Sequence, residues 1–494
     1  MPAWRTSAQH GIGLLTTGHL PAPYLDESRH FGLECRFCAD GVRRGFALVS
    51  RKDGDVTNQS ARRVVITGLG VISPLGNTKD DLWGALAARH SGVIQMPEIP
   101  AGATPMSFGA PARSFSGAID DFGQLEGEQK KAIRKALKMM CRESQLGVAA
   151  AQRALQDARL KPGALDPERS GVVYGSDYMI TEPDDFTSGI KNCLDDGEFD
   201  FGRWAQQGMT QMTPLWLLKY LPNMPASHIA IYNDLRGPNN SLTQREASAN
   251  LAVGEALRVI QRGHAEVMVA GATGTRIHPM KLVHAVQQEP LATDGVPPEQ
   301  ASRPFDLHRT GQVLGEGAGA VILEELGHAQ ARGATIYAEV IGAASSSASG
   351  RNFVARREVS LANAMRGALR DAGLAPEKVG HLQAHGLGTI GCDQDEARAI
   401  RDVFGDYSAR LPVTAAKSYF GHLGAGSGLV ELIAGVLALT HESLFPILNY
   451  ETPDPDCPIR AVTQYGHPAG DSFLNPSVTP QGQASCVAVK RFIA

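Results

Sequence analysis

No stretch of this chain approaches the 18 or more consecutive apolar residues that a helix needs to cross a bilayer. The N-terminus, Met1-Pro-Ala-Trp-Arg-Thr-Ser, lacks an apolar core followed by a small-residue cleavage site, so no secretory signal is expected. Positive charge is not in excess. Forty-seven Lys and Arg against 51 Asp and Glu leave a formal net charge of −4, which offers no basic surface for nucleic acid or anionic membrane. Cysteine is scarce and odd in number: seven, at 35, 38, 141, 193, 392, 457 and 486. Scattered in this way they suit reduced thiols in a cytoplasm better than a disulfide framework. Cys35-Arg-Phe-Cys38 is half of a zinc spacing with no second pair nearby, and no metal is expected. What remains is 43% hydrophobic and 20% charged, ordinary for a soluble chain able to bury a sizeable core. A length of 494 residues suits two to four average domains or one large α/β unit.

Residues 1–61 hold Gly, Pro, Ser and Arg without helical or strand period and read as a poorly ordered extension. Arg63 to Ser73 then reads as a buried strand running into a Gly-rich turn. Ile133 to Ala158 has apolar residues at helical spacing, and Gly171 to Gly175 is a short core strand. Ala247 to Gly263 reads as an amphipathic helix ended by glycine, followed by a buried strand from Ala265 to Gly271. Such alternation argues for parallel sheets covered by helices. Ile336 to Gly342 echoes residues 63–73, which suggests two similar α/β halves, 62–330 and 331–494.

Four stretches carry chemistry. Gly237-Pro-Asn-Asn-Ser-Leu-Thr-Gln-Arg-Glu246-Ala-Ser-Ala-Asn-Leu-Ala-Val-Gly254 places a carboxylate at a turn entering a helix. His385 lies in Ala-His-Gly, Lys417 in Ala-Lys-Ser, and His422 in Gly-His-Leu-Gly-Ala-Gly-Ser-Gly. Arg303-Pro-Phe-Asp306, Arg309 and Gly315-Glu-Gly-Ala-Gly319 lead into a core strand, where such glycines mostly permit tight packing. Together these stretches make residues 62–494 resemble a β-ketoacyl-[acyl-carrier-protein] synthase of the elongating fatty-acid and aromatic-polyketide type. The resemblance implies the thiolase-like fold, an α/β stack of five layers, α-β-α-β-α, built from duplicated halves. It also implies that His385 and His422 contact a malonyl thioester carbonyl and stabilise the enolate oxygen. Lys417 would orient one of them, with Asp393, Glu396 and Glu431 as supporting anions and Thr389 binding the pantetheine arm.

The family nucleophile is a cysteine, and here that position holds Glu246. Condensation needs a thiolate that attacks a thioester and later leaves, and a helix N-terminus favours it. The same dipole favours a carboxylate anion, but a carboxylate acceptor would give a reactive mixed anhydride. An ionised Glu246 about 4 Å from a malonate carboxylate would repel it by roughly 1 to 4 kcal/mol. It would also hold a histidine protonated or pair with Lys417. Counting back from Lys490, the family's Gly-Phe-Gly-Gly-Thr-Asn-like loop falls on Thr479 to Ala484, with Pro480 at the aromatic gate and no N–H to donate there. Leu387 replaces one of two threonines expected on the pantetheine arm. Cys392 and Cys486 lie near catalytic stretches, but neither sits on the elbow turn.

Three functions stay open: a non-condensing partner resembling chain-length factors, a malonyl-carrier-protein decarboxylase, and a synthase working by a non-cysteine route. All three use an acyl carrier protein whose phosphopantetheine is the substrate arm, with no other cofactor. A local Lys/Arg patch would suffice to dock an acidic carrier. The resemblance implies a homodimer, or a heterodimer with a cysteine-bearing ketosynthase, in the cytoplasm.

Overall fold

The computed structural model describes residues 62–97, 99 and 104–493, so the expected extension over 1–61 and the Cys35–Cys38 spacing lie outside it. The large sheet takes five strands from the first part of the chain: β1 (Val64–Ile72), β2 (Ser170–Ser176), β3 (Asn239–Leu242), β4 (Val267–Thr275) and β5 (Glu316–Glu325). They line up as β3-β2-β4-β5-β1, with β2 parallel to both neighbours and β5 antiparallel to both of its own. Six follow: β6 (Ala338–Ser347), β7 (His381–Gln383), β8 (Pro412–Thr414), β9 (Arg460–Ala461), β10 (Ser472–Val478) and β11 (Gln483–Arg491). Their order, β9-β8-β7-β10-β11-β6, repeats the first pattern with one short edge strand added. Antiparallel pairing of β1 with β6, Val64 opposite Val340, joins the two sets.

Helices fill the spaces between and outside the strands. α1 (Arg142–Asp157) packs on β1, β4 and β5, whereas α4 (Arg357–Ala372) packs on β6, β10 and β11 and is covered by α5 (Ile390–Phe404). Between the sheets, α2 (Ser248–Gln261) and α6 (Ser427–Thr440) touch each other and strands of both sets. The result is the five-layer, thiolase-like α-β-α-β-α arrangement. α3 (Pro279–Gln288) lies after β4. Ser427 to Leu439 of α6 are all buried, as an apolar helix must be when protein surrounds it on every side. Buried amides tie this central layer together. Asn250 of α2 donates to the Asn475 carbonyl at 2.7 Å, and Asn475 donates to Gly428 O at 2.9 Å.

Two segments differ from the sequence reading. The helical period over 133–158 is broken: a helix at Gly127–Ala136 and a short 3-10 turn end at Met139, and Cys141 is extended before α1 begins. The break frees Arg142 to bind Glu316 at 2.7 Å and the Phe115 carbonyl at 2.9 Å, which a continuous helix would not have allowed. β4 runs past Gly271 to Thr275 and so delivers Arg276 to the end of the sheet. Among the described residues no helix is long and apolar enough to cross a membrane.

The approach of α1 to β1 leaves no space for a side chain at Gly70. A Cβ there would lie 2.0 Å from Ala150 O and 2.5 Å from Ala154 N. Gly70→Ala is expected to lower stability by about 1–3 kcal/mol in denaturant unfolding. Gly84→Ala, with nothing within 4 Å of its new methyl, should instead be neutral or gain up to about 1 kcal/mol.

Candidate active site

The parallel strands deliver charged and polar residues to one end of the molecule, just past their carboxyl ends. Asp177 follows β2, Glu246 follows β3 and Arg276 follows β4. From the second set, His385 follows β7, Lys417 follows β8 and Pro480 follows β10. Open α/β sheets place ligand sites at such strand ends.

Glu246 stands in a 3-10 turn, Arg245–Ala247, that leads directly into α2. The turn is sharp, and Arg245 takes a left-handed conformation with φ 52°. Two arginines and an imidazole meet one oxygen of the Glu246 carboxylate. Arg276 Nη2 donates to Oε1 at 2.6 Å, His422 Nε2 lies 3.3 Å from it, and Arg245 Nη2 lies 3.4 Å from it. The same Arg276 Nη2 is 2.8 Å from Asp177 Oδ2, so one guanidinium bridges two carboxylates. Glu246, Arg276 and Asp177 are only 2%, 3% and 0% exposed. Burial pushes the Glu246 carboxyl upward, but the charges of Arg276 and then Arg245, with the contact to His422, outweigh it and hold it well below the usual carboxylate range. Glu246 is therefore an anion at neutral pH. The expected pairing with Lys417 does not form, because Lys417 is bound to Glu431.

Lys417 Nζ also donates to the His385 carbonyl at 2.7 Å and lies 3.3 Å from His385 Nδ1. Burial first, then the charge of Lys417, hold His385 well below the usual imidazole range. Its ring is neutral, and with Nδ1 accepting from Lys417 the proton sits on Nε2. Burial likewise brings His422 down to about 4, against the pull of Glu246. His422 Nδ1 lies 2.9 Å from the Gln312 side-chain amide. The Gln312 atom there is the amide oxygen, so His422 Nδ1–H donates to it, and Nε2 faces Glu246 Oε1.

Carboxylates brace the loop that carries His385. Glu396 accepts the His385 and Gly386 backbone N–H groups at 2.7 and 2.8 Å, and burial still pushes it up to about 7. Asp393 accepts from Gly388 and Phe305 at 3.0 and 2.8 Å, lies 3.3 Å from Arg309, and is pushed up to about 6 by burial. Thr389 is 1% exposed and caps α5, with its hydroxyl oxygen 3.4 Å from the Cys392 N–H.

Glu246, Arg245, Arg276, His385, His422, Leu387, Cys392 and Pro480 all line one cavity, and the space left between them takes roughly one water molecule. Arg245 lies across its mouth, donating to Gln288 at 2.7 Å and to Gln481 at 3.3 Å. Cys392 reaches the cavity wall, but burial raises its thiol well above the usual range, so it is not a thiolate. Cys486 is buried on β11 and raised in the same way. Arg276 and Asp177 are the residues that sequence reasoning missed. Their one sequence signal is a charge placed immediately after a buried strand.

Residues 61–329 match the family described as Beta-ketoacyl synthase, N-terminal domain, and residues 337–451 match Beta-ketoacyl synthase, C-terminal domain. The chain is 36% identical over 402 residues to 3-oxoacyl-[acyl-carrier-protein] synthase 2 of Coxiella burnetii, covering 81% of this chain and 91% of that one. With the protein of the same name from Synechocystis sp. the identity is 34% over 408 residues, covering 82% and 92%. Among solved structures it is similar to the ishigamide ketosynthase/chain length factor, at 28% identity and TM-score 0.73, covering 88% of this chain and all of that one. A type II polyketide synthase acyl-carrier protein in complex with its ketosynthase, bound to the hexaketide, matches at 26% identity and TM-score 0.73, covering 87% of this chain and 100% of that chain.

Removing Arg276 would leave two buried carboxylates without their shared cation. Arg276→Leu is expected to lower stability by about 3–5 kcal/mol in denaturant unfolding. Adding Asp177→Leu and Glu246→Leu to it should restore most of that loss.

Proposed function

This chain belongs to the β-ketoacyl synthase family, and within it we propose a member that receives carrier-bound thioesters without taking the acyl group onto itself. The observation that carries this reading is the Arg276 clamp, which holds an ionised carboxylate where the family keeps a thiolate. Oε1 is engaged by Arg276, Arg245 and His422, and attack through either oxygen would yield a mixed anhydride. Pro480 on the cavity wall supports the same reading, since a missing oxyanion donor typically costs ~100- to 1,000-fold in rate.

The partners follow from this reading. Helix Gly127–Ala136 and the turn after it present exposed Arg134, Lys135 and Lys138, a surface suited to an acidic carrier protein. The substrate arm is phosphopantetheine. β3 is an edge strand, hydrogen-bonded on one side by β2, which supports pairing across that edge with a second copy or a cysteine-bearing ketosynthase. The free thiols at Cys141, Cys193, Cys392, Cys457 and Cys486 accord with a reducing cytoplasm. The role is thus that of a non-condensing subunit in fatty-acid or polyketide synthesis.

A second reading, decarboxylation of a malonyl thioester, is favoured by His385, whose Nε2–H faces the task of holding an enolate oxygen while Lys417 steadies the ring. Repulsion of malonate by Glu246 is offset here by Arg276 and Arg245, so the anion alone does not count against it.

The purified protein should be incubated with malonyl- and acetyl-carrier protein and followed by intact mass and by carbon dioxide release. No acyl adduct and no 3-oxoacyl product are expected. An adduct that proceeds to a 3-oxoacyl product would overturn the reading. Carbon dioxide release without an adduct would assign the decarboxylase role, and His385→Ala should then slow it by ~100-fold or more.

A further inference from the structure

The two oxygens of Glu246 are not equivalent. Oε1 meets three cationic or imidazole groups, whereas Oε2 is buried and has no hydrogen-bond partner among the described residues. Arg276 also lines this cavity, and its Nε is likewise buried without a hydrogen-bond partner among the described residues. The space among these side chains takes roughly one water molecule. Buried polar atoms are normally satisfied, and a polar gap of this size is what an ordered water fills. The water would rest on Glu246 Oε2, in the cavity that His385 also lines.

We propose that this site hydrolyses carrier-bound thioesters, with Glu246 as the base that activates a water and His385 as the group that steadies the oxyanion. The inference rests on the reading that the thioester is received and no acyl-enzyme forms. The water oxygen bonds to the acyl carbon as its proton passes to Glu246 Oε2. His385 Nε2–H donates to the carbonyl oxygen as negative charge builds there. Collapse breaks the carbon–sulfur bond, and the proton on Glu246 moves to the departing pantetheine sulfur. The products are a free carboxylic acid and the carrier thiol, with no change in oxidation state. The ion pairs at Oε1 keep the carboxylate in place while Oε2 exchanges the proton. Access requires Arg245 to leave the mouth, and apart from Glu246 its side-chain hydrogen bonds there are to the neutral amides of Gln288 and Gln481.

Acetyl-carrier protein tests this, because it has no carboxylate to lose and so reports hydrolysis alone. Release of the carrier thiol should exceed the buffer rate by ~10-fold or more. Glu246→Gln should return it to the buffer rate, His385→Asn should lower it by ~100-fold, and Glu246→Asp, which keeps a carboxylate, should retain part of it. A wild-type rate equal to buffer, or an unchanged rate in Glu246→Gln, would overturn the proposal. Neither result touches the non-acylating reading, which falls only if an acyl adduct is seen by mass.

Discussion

One guanidinium shared between two buried carboxylates organises the centre of this molecule. Arg276 is brought there by the last residues of β4, Asp177 by β2 and Glu246 by the turn after β3. Each alone would be a costly buried charge. Together, with Arg245 at the rim, two anions face two cations, and the cluster tolerates a site that is almost dry. The clamp keeps the resting Glu246 ionised, aims its Oε1 at His422, and leaves Oε2 free. The chemistry proposed for this chain depends on those three consequences.

The two halves of the fold treat that cavity differently. From the second half, His385, Lys417 and Glu431 form a tightly bound group, with Glu396 and Asp393 holding the loop beneath the imidazole. From the first half comes the carboxylate in its arginine clamp. Each half alone supplies an incomplete set. The repeated strand order turns the carboxyl ends of both parallel runs toward one space, so residues more than a hundred positions apart become neighbours.

Much of the fold was legible from hydrophobic runs. Val64–Ile72 and Ser170–Ser176 are buried along their whole length and read as continuous apolar segments. The break at Cys141 was not, because the apolar spacing continues through it and an ion pair across the fold decides it. Glu246, His385, Lys417 and His422 could be named from four separate stretches, each set off by its glycines or by family resemblance. Arg276 and Asp177 could not. Nothing local marks a lone charge after a strand as a partner for a residue 30 or more positions away. The same gap explains why Lys417 was an open choice for Glu246 in the sequence, whereas the structure commits it to Glu431.

The central claim is that Glu246 is a clamped anion and not a neutral acid. It can be measured by carbon-13 NMR of the glutamate carboxyls through a pH titration, with Glu246→Gln identifying the resonance. The account predicts a carboxylate shift that persists as pH falls through the usual range near 4.3, with protonation only well below it. A resonance that titrates at or above that range would show a protonatable, unclamped Glu246 and contradict the account.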